Sequence, residues 1–133
     1  MATTSNPYGL RPLNRVGGTA YAGATTQLPI ASAYATDIFY GDIVAVVAGG
    51  TIEKMGAVGT NAAPFTAGTI GVFMGCSYTD ATQGFIQRQY WPASTVASDA
   101  QAYIVDDPSV RFQIQADGQV PQTDLHQNMA INQ

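Results

Sequence analysis

The chain has 133 residues, 46% of them hydrophobic, which suits one domain with a single moderate core and excludes global disorder. Only 11% are charged, against roughly 25% in an average soluble protein, and the net charge is −4 at pH 7. The cations are limited to Arg11, Arg15, Lys54, Arg88 and Arg111, too few and too scattered for a phosphate-binding surface, so direct nucleic-acid binding is not expected.

Charged side chains keep free monomers soluble and blunt exposed strand edges. A chain this short of them favours a protein that hides surface against partners over one with a neutral Ala/Thr-rich exterior. Cys76 is the only cysteine, so an intrachain disulfide is impossible, and its apolar setting suits a buried, inert thiol. The opening MATTSNPYGLRP has neither the basic nor the apolar region of a secretory signal. No run of about 18 apolar residues occurs, so no membrane span is expected. Synthesis in a cytoplasm is expected, with the chain soluble there until it assembles.

In chain order, residues 1–26 are rich in Gly, Ala and Thr and show no period over 15–26, which predicts an extended N-terminal arm preceding a β-rich body over 27–133. Gln27–Ala31 is a short apolar run and a candidate strand. After Asp37–Tyr40 and the Gly41-Asp42 step, Ile43–Val47 reads as a buried strand, because β-branched side chains suit a pleated surface. Gly49-Gly50 makes a tight turn and Thr51–Met55 returns as its hairpin partner. Residues 57–67 read as a loop. Gly68–Asp80 is the most apolar stretch, and its glycines at 68, 71 and 75 predict a bent or bulged strand. Gly84–Trp91 is a strand closed by Pro92, with Ile86, Arg88 and Tyr90 on one face and Phe85, Gln87, Gln89 and Trp91 on the other.

The best-defined stretch is Gln101–Gly118. Two apolar runs flank the turn Asp106-Asp107-Pro108-Ser109, in which Pro fixes φ and the aspartates bond the backbone locally. Beyond it Val110, Phe112, Ile114 and Ala116 alternate with polar residues. Thr123–His126 reads as a turn or short helix. About seven short strands with no convincing helix predict an all-β, single-domain sandwich or barrel.

Chemistry is sparse. Glycines are never spaced as a phosphate loop. One His (His126) and one Cys cannot build an ordinary zinc site, and Asp106, Asp107 and Asp117 lack a calcium-loop spacing and read as turn residues. A lone His in an unpatterned tail is a poor general base, and Glu53 is the only Glu. No catalytic residue, metal or cofactor is expected, and the chain reads as a non-enzyme. Tyr78, Tyr90, Trp91 and Tyr103 fit either a contact surface or core packing, the second being the commoner use of such residues.

Several phrases together resemble the decoration, or cement, proteins of tailed-bacteriophage heads. A P-x-G-L-[RK]-P opening is matched by Pro7–Pro12, F-x-G-D-x-V by Phe39–Val44, and D-D-P-[DS]-V-x-F-x-I-Q-x-D-G by residues 106–118. An I-x-G-V turn is matched by Ile70–Val72 with its spacer dropped. Members continue well past the segment matching 125–130. The resemblance implies a β-rich structural virion protein, a homotrimer on the capsid exterior, bound to the major capsid protein and bridging capsomers. On that view the arm lies along the shell, with Tyr8 and Leu10 as apolar anchors and Arg11 and Arg15 pairing with acidic groups, while Tyr90 and Trp91 add aromatic contacts. The alternatives are a receptor- or glycan-binding module, or a tail or neck component, of a virion.

Overall fold

The computed structural model describes residues 8–55, 69–116 and 118–127. It is all-β, with eight strands in two antiparallel sheets and one turn of 3-10 helix at Gln122–Asp124. The strands are β1 (Arg11–Arg15), β2 (Thr26–Pro29), β3 (Ile43–Val46), β4 (Ile52–Lys54), β5 (Thr69–Asp80), β6 (Gly84–Arg88), β7 (Gln101–Val105) and β8 (Val110–Gln113). No helix among the described residues is long and apolar enough to cross a membrane.

The larger sheet runs β2-β7-β5-β3-β4, with β6 also paired to β5. At twelve residues, β5 is long enough to serve three partners in succession: β3 at its start, β7 through its middle and β6 at its end. The bulging expected from its glycines is real. Register slips between Phe73 and Gly75 against β7, and Gly75 adopts φ +140°, where a Cβ would sit 2.9 Å from the Arg88 carbonyl oxygen. The extra residue bends β5 so that its end reaches β6.

Burial follows position in the sheet. β7 lies between β2 and β5, and its Ala102, Ile104 and Val105 are all buried. Ile43 and Val44, neighbours on β3, are likewise both buried, one on each face. The core gathers Ile38, Val44, Ile52, Phe73, Ile104 and Tyr78 around Trp91. Trp91 meets Tyr78 edge to face at 5.4 Å, and its indole N–H donates to the Tyr34 carbonyl at 3.4 Å, so its polar atom is satisfied.

The smaller sheet pairs β1 with β8, from Arg11 opposite Gln113 to Arg15 opposite Val110. A two-stranded ribbon is marginal by itself, and this one is fastened to the body. The Val16 N–H donates to the Ser109 carbonyl at 2.7 Å, Leu10 N–H donates to the Gly41 carbonyl at 3.0 Å, and Arg15 pairs with Asp107. At the second fastening the backbones of Gly9 (φ +72°) and Gly41 (φ +90°) nearly touch. A Cβ on Gly41 would lie 2.8 Å from the Leu10 nitrogen and 3.0 Å from Gly9 Cα.

Part of the segment expected to be a free arm is therefore a strand of the body. The inward positions of β1 are Pro12 and Asn14, neither a typical strand former, and the partner strand lies at the other end of the chain. Two other expectations change. β8 ends at Gln113 and Ile114 is 47% exposed; among the described residues the ribbon has only the two strands β1 and β8. β6 ends at Arg88, and the bend at Gln89-Tyr90 breaks the alternation expected through Trp91. The expected loop over 57–67 lies outside the described residues.

Gly41→Ala is expected to lower stability by about 2 kcal/mol or more, combining left-handed strain with a backbone clash. Gly50→Ala, at φ +77° with open space around it, should cost only the strain, about 1 kcal/mol. Urea unfolding of the two variants separates the terms, and equal losses would remove the crowding argument.

Candidate interaction surface

Six of the nine acids are occupied at turns and joints. Asp80 accepts from the Thr82 and Gln83 N–H groups at 2.8 and 3.1 Å, closing the turn between β5 and β6. Asp99 accepts from the Thr79 N–H at 3.0 Å, and Asp37 from the Ala93 N–H at 2.6 Å. Asp42 accepts from the Phe39 N–H at 2.8 Å and pairs with Lys54 at 2.9 Å. Asp106 accepts from the Thr26 hydroxyl at 2.9 Å. Asp107 holds the Ser109 N–H at 2.9 Å and the Arg15 guanidinium. At Asp80, Asp99 and Asp107 these bonds favour the ionised form. Those from Ser109, with Arg15, pull the Asp107 carboxyl down to about 2, and Thr82 and Thr79 lower Asp80 and Asp99.

Carboxylates held this way are turn fasteners. Among the described residues no three His, Cys, Asp or Glu side chains gather as a metal site. Cys76 is fully buried and its thiol donates to the Tyr90 carbonyl at 3.4 Å; burial pushes it up to about 11 against a smaller opposing effect of Arg88.

The cations are arranged differently. Arg11 lies over the Tyr8 ring at 5.5 Å, Lys54 over Phe39 at 5.6 Å and Arg88 over Tyr90 at 5.8 Å. Phe39 and Tyr90 stack at 6.1 Å, and Arg88 donates to the Tyr90 hydroxyl at 3.2 Å. Among the described residues, Arg11 and Arg88 take part in no ion pair. An open depression of about 330 Å3 is lined by Tyr8, Arg11, Tyr40 and Gln89. Its walls come from three distant places: the segment before β1, the Phe39–Asp42 turn, and the bend after β6. The Gly9–Gly41 crossing brings the first two together, and the Ile38–Trp91 bridge brings the third alongside.

The expected contact residues divide. Tyr8 and Tyr90, 40% and 39% exposed, and Arg11 lie on this surface. Leu10 is half-buried, with its N–H bound to Gly41, and Arg15 is already paired with Asp107, so the chain itself occupies both. Trp91 is a correction. It has no exposed surface and packs in the core, because the bend at Gln89-Tyr90 turns it inward. Phe39, Tyr40, Arg88 and Gln89 escaped the sequence reading. The aromatic pair beside the Gly41 turn was visible there, but its neighbours on the surface come from elsewhere in the chain. Comparison with family models, curated proteins and solved structures gives no match.

Because folded Asp107 titrates at about 2, below the ~3.9 of an unfolded Asp, its stabilising effect is complete above about pH 4 and lost as pH falls through 2. Asp107→Asn should therefore be less stable than the parent at neutral pH and show a flatter stability profile between about pH 4 and 2. Urea titrations across that range check this, and parallel profiles would contradict it. The Cys76 thiol should resist an aromatic disulfide reagent at about pH 8 in the native protein and react promptly once unfolded.

Proposed function

We propose that this protein is a structural component of a virion: a decoration protein that binds the outside of a tailed-phage capsid shell and bridges neighbouring capsomers. One observation carries most of the weight. The segments that resemble the cement family meet at two joints of the fold. Gly9 of the opening motif lies against Gly41 of the F-Y-G-D-I-V motif, and Gly41 N–H in turn donates to the Phe73 carbonyl beside the I-G-V match. Asp107 of the D-D-P-S-V block clasps Arg15 just beyond the opening motif. Residues brought together at the first joint present Tyr8, Arg11, Tyr40 and Tyr90 on the outside.

On this reading the protein is a binder and not an enzyme, its partners are the major capsid protein and further copies of itself, and its place is the capsid exterior, as a trimer. Its contact with the shell is a folded surface and not a loose arm. Aromatic side chains with polar tips and arginines suit such a contact. Individual contacts need only be weak, because many copies on one lattice act together.

Mixing the purified protein with undecorated expanded capsids tests the reading. Saturable co-sedimentation with a raised capsid melting temperature is expected, since a ligand of the assembled shell stabilises it. Tyr8→Ala combined with Tyr90→Ala should lower occupancy at a given concentration about ten-fold or more, as loss of aromatic anchors does. Arg111→Ala, on the outer side of β8, should not. A well-folded protein that leaves capsids unbound and their melting unchanged would reject the proposal and favour a glycan-binding or tail component.

A further inference from the structure

Charge sorting on this molecule is uneven. Of its nine acids, six are engaged by the turn and joint contacts described above, while Arg11 and Arg88 stand without an ion pair among the described residues. Each of those guanidinium groups is held over a tyrosine ring, which restrains the side chain; Arg11 is exposed, while Arg88 is half-buried and already donates to the Tyr90 hydroxyl. The depression beside Arg11 is lined by side chains that can all donate: two phenol hydroxyls, a guanidinium and a carboxamide. None of its lining residues is acidic.

We infer that this depression is a docking site for an acidic segment of a partner protein, with one Asp or Glu carboxylate seated on the Arg11 guanidinium between Tyr8 and Tyr40. A carboxylate matches the guanidinium fork and can accept from a phenol at the same time. The open shape suits a side chain presented by a large partner better than an enclosed small ligand. The rings of Phe39 and Tyr90 alongside offer apolar surface to the residues flanking that carboxylate.

A nucleic acid fits less well. Stacking on tyrosines would be available to bases, but a backbone of repeated phosphates needs a track of cations. Here the net charge is −4, and the three arginines without an ion pair among the described residues, Arg11, Arg88 and Arg111, are too few to make such a track. The inference rests on the decoration reading only for the identity of the partner, which would then be the shell subunit.

The test uses a short blocked peptide alternating Asp and Ala, titrated into the whole protein while tyrosine-ring and arginine side-chain signals are followed by NMR. Saturable shifts at Tyr8, Arg11, Tyr40 and Gln89 are expected, weakening as salt is raised. Arg11→Gln should weaken binding about ten-fold, the loss of one charge-assisted hydrogen-bonded pair, and Arg11→Glu should abolish it. Arg111→Gln should bind like the parent. Near-ultraviolet circular dichroism of Trp91 reports whether each variant keeps the core.

The same peptide with Asn for Asp should not bind. Equal binding of the Asn peptide, equal shifts with inorganic phosphate, tighter binding of a single-stranded oligonucleotide, or no shifts at the depression would each overturn the inference. Capsid co-sedimentation separates the two claims. Undiminished capsid binding by Arg11→Glu overturns the docking site and leaves the decoration reading standing. Peptide binding by a protein that ignores capsids does the reverse.

Discussion

The backbone crossing of Gly9 and Gly41 is the constraint on which the remaining arrangement depends. Two chains can approach this closely only where neither carries a Cβ, and both residues take left-handed conformations that other side chains resist. Several connections radiate from the crossing. Gly41 gives its carbonyl to Leu10 and its N–H to Phe73, and Phe73 returns a bond to the Asp42 carbonyl. Asp42 then closes the Phe39 turn and reaches Lys54 on β4. One point of contact thus relates the N-terminal segment, the central strand β5 and the far edge of the sheet. The surface of Tyr8, Tyr40 and Arg11 inherits its geometry from that point.

Sorting of charge is the second organising feature. In a chain with so few ionisable groups, the acids serve as local fasteners, accepting N–H and hydroxyl bonds at turns where an aspartate is the natural acceptor. Their hydrogen-bonding capacity is directed inward, to the chain itself. The cations Arg11, Lys54 and Arg88 are set on rings instead. A net negative charge therefore describes the turns of this molecule, whereas the face around Arg11 is locally cationic and aromatic. Overall charge alone would suggest the wrong partner for that face.

The sequence conveyed the β-rich class and the positions of most strands, because β-branched runs and Gly, Pro and Asp punctuation are local signals. The hairpin of β3 and β4 across Gly49-Gly50, the strand β7 and the Asp106–Ser109 turn were legible for that reason. β1 was not, since Pro12 and Asn14 hide its inward face and only pairing with β8 makes it a strand. Trp91 was half legible: both core and contact roles were open to it, and a bend of two residues decided for the core. The surface itself depends on three segments distant in sequence, so Tyr8, Arg11 and Tyr90 could be named individually while Phe39, Tyr40, Arg88 and Gln89 could not be joined to them. Local patterns carry no information about such crossings.

The clasp between Arg15 and Asp107 joins residues 92 positions apart. During synthesis β1 leaves the ribosome early, yet its strand partner β8 emerges only after every strand of the larger sheet. Contacts of such long range are slow to form because the loop must be closed before the pairing rewards it. The ribbon is accordingly a late event in folding, preceded by the sheet built on β5. A nascent or truncated chain lacking β8 would carry an unpaired β1 and an unanchored Arg15, while the Gly9–Gly41 crossing, made wholly of earlier residues, would not depend on β8. The clasp and the ribbon are thus completed only in chains finished through β8, whereas the crossing beneath the aromatic–cation face uses only residues made earlier.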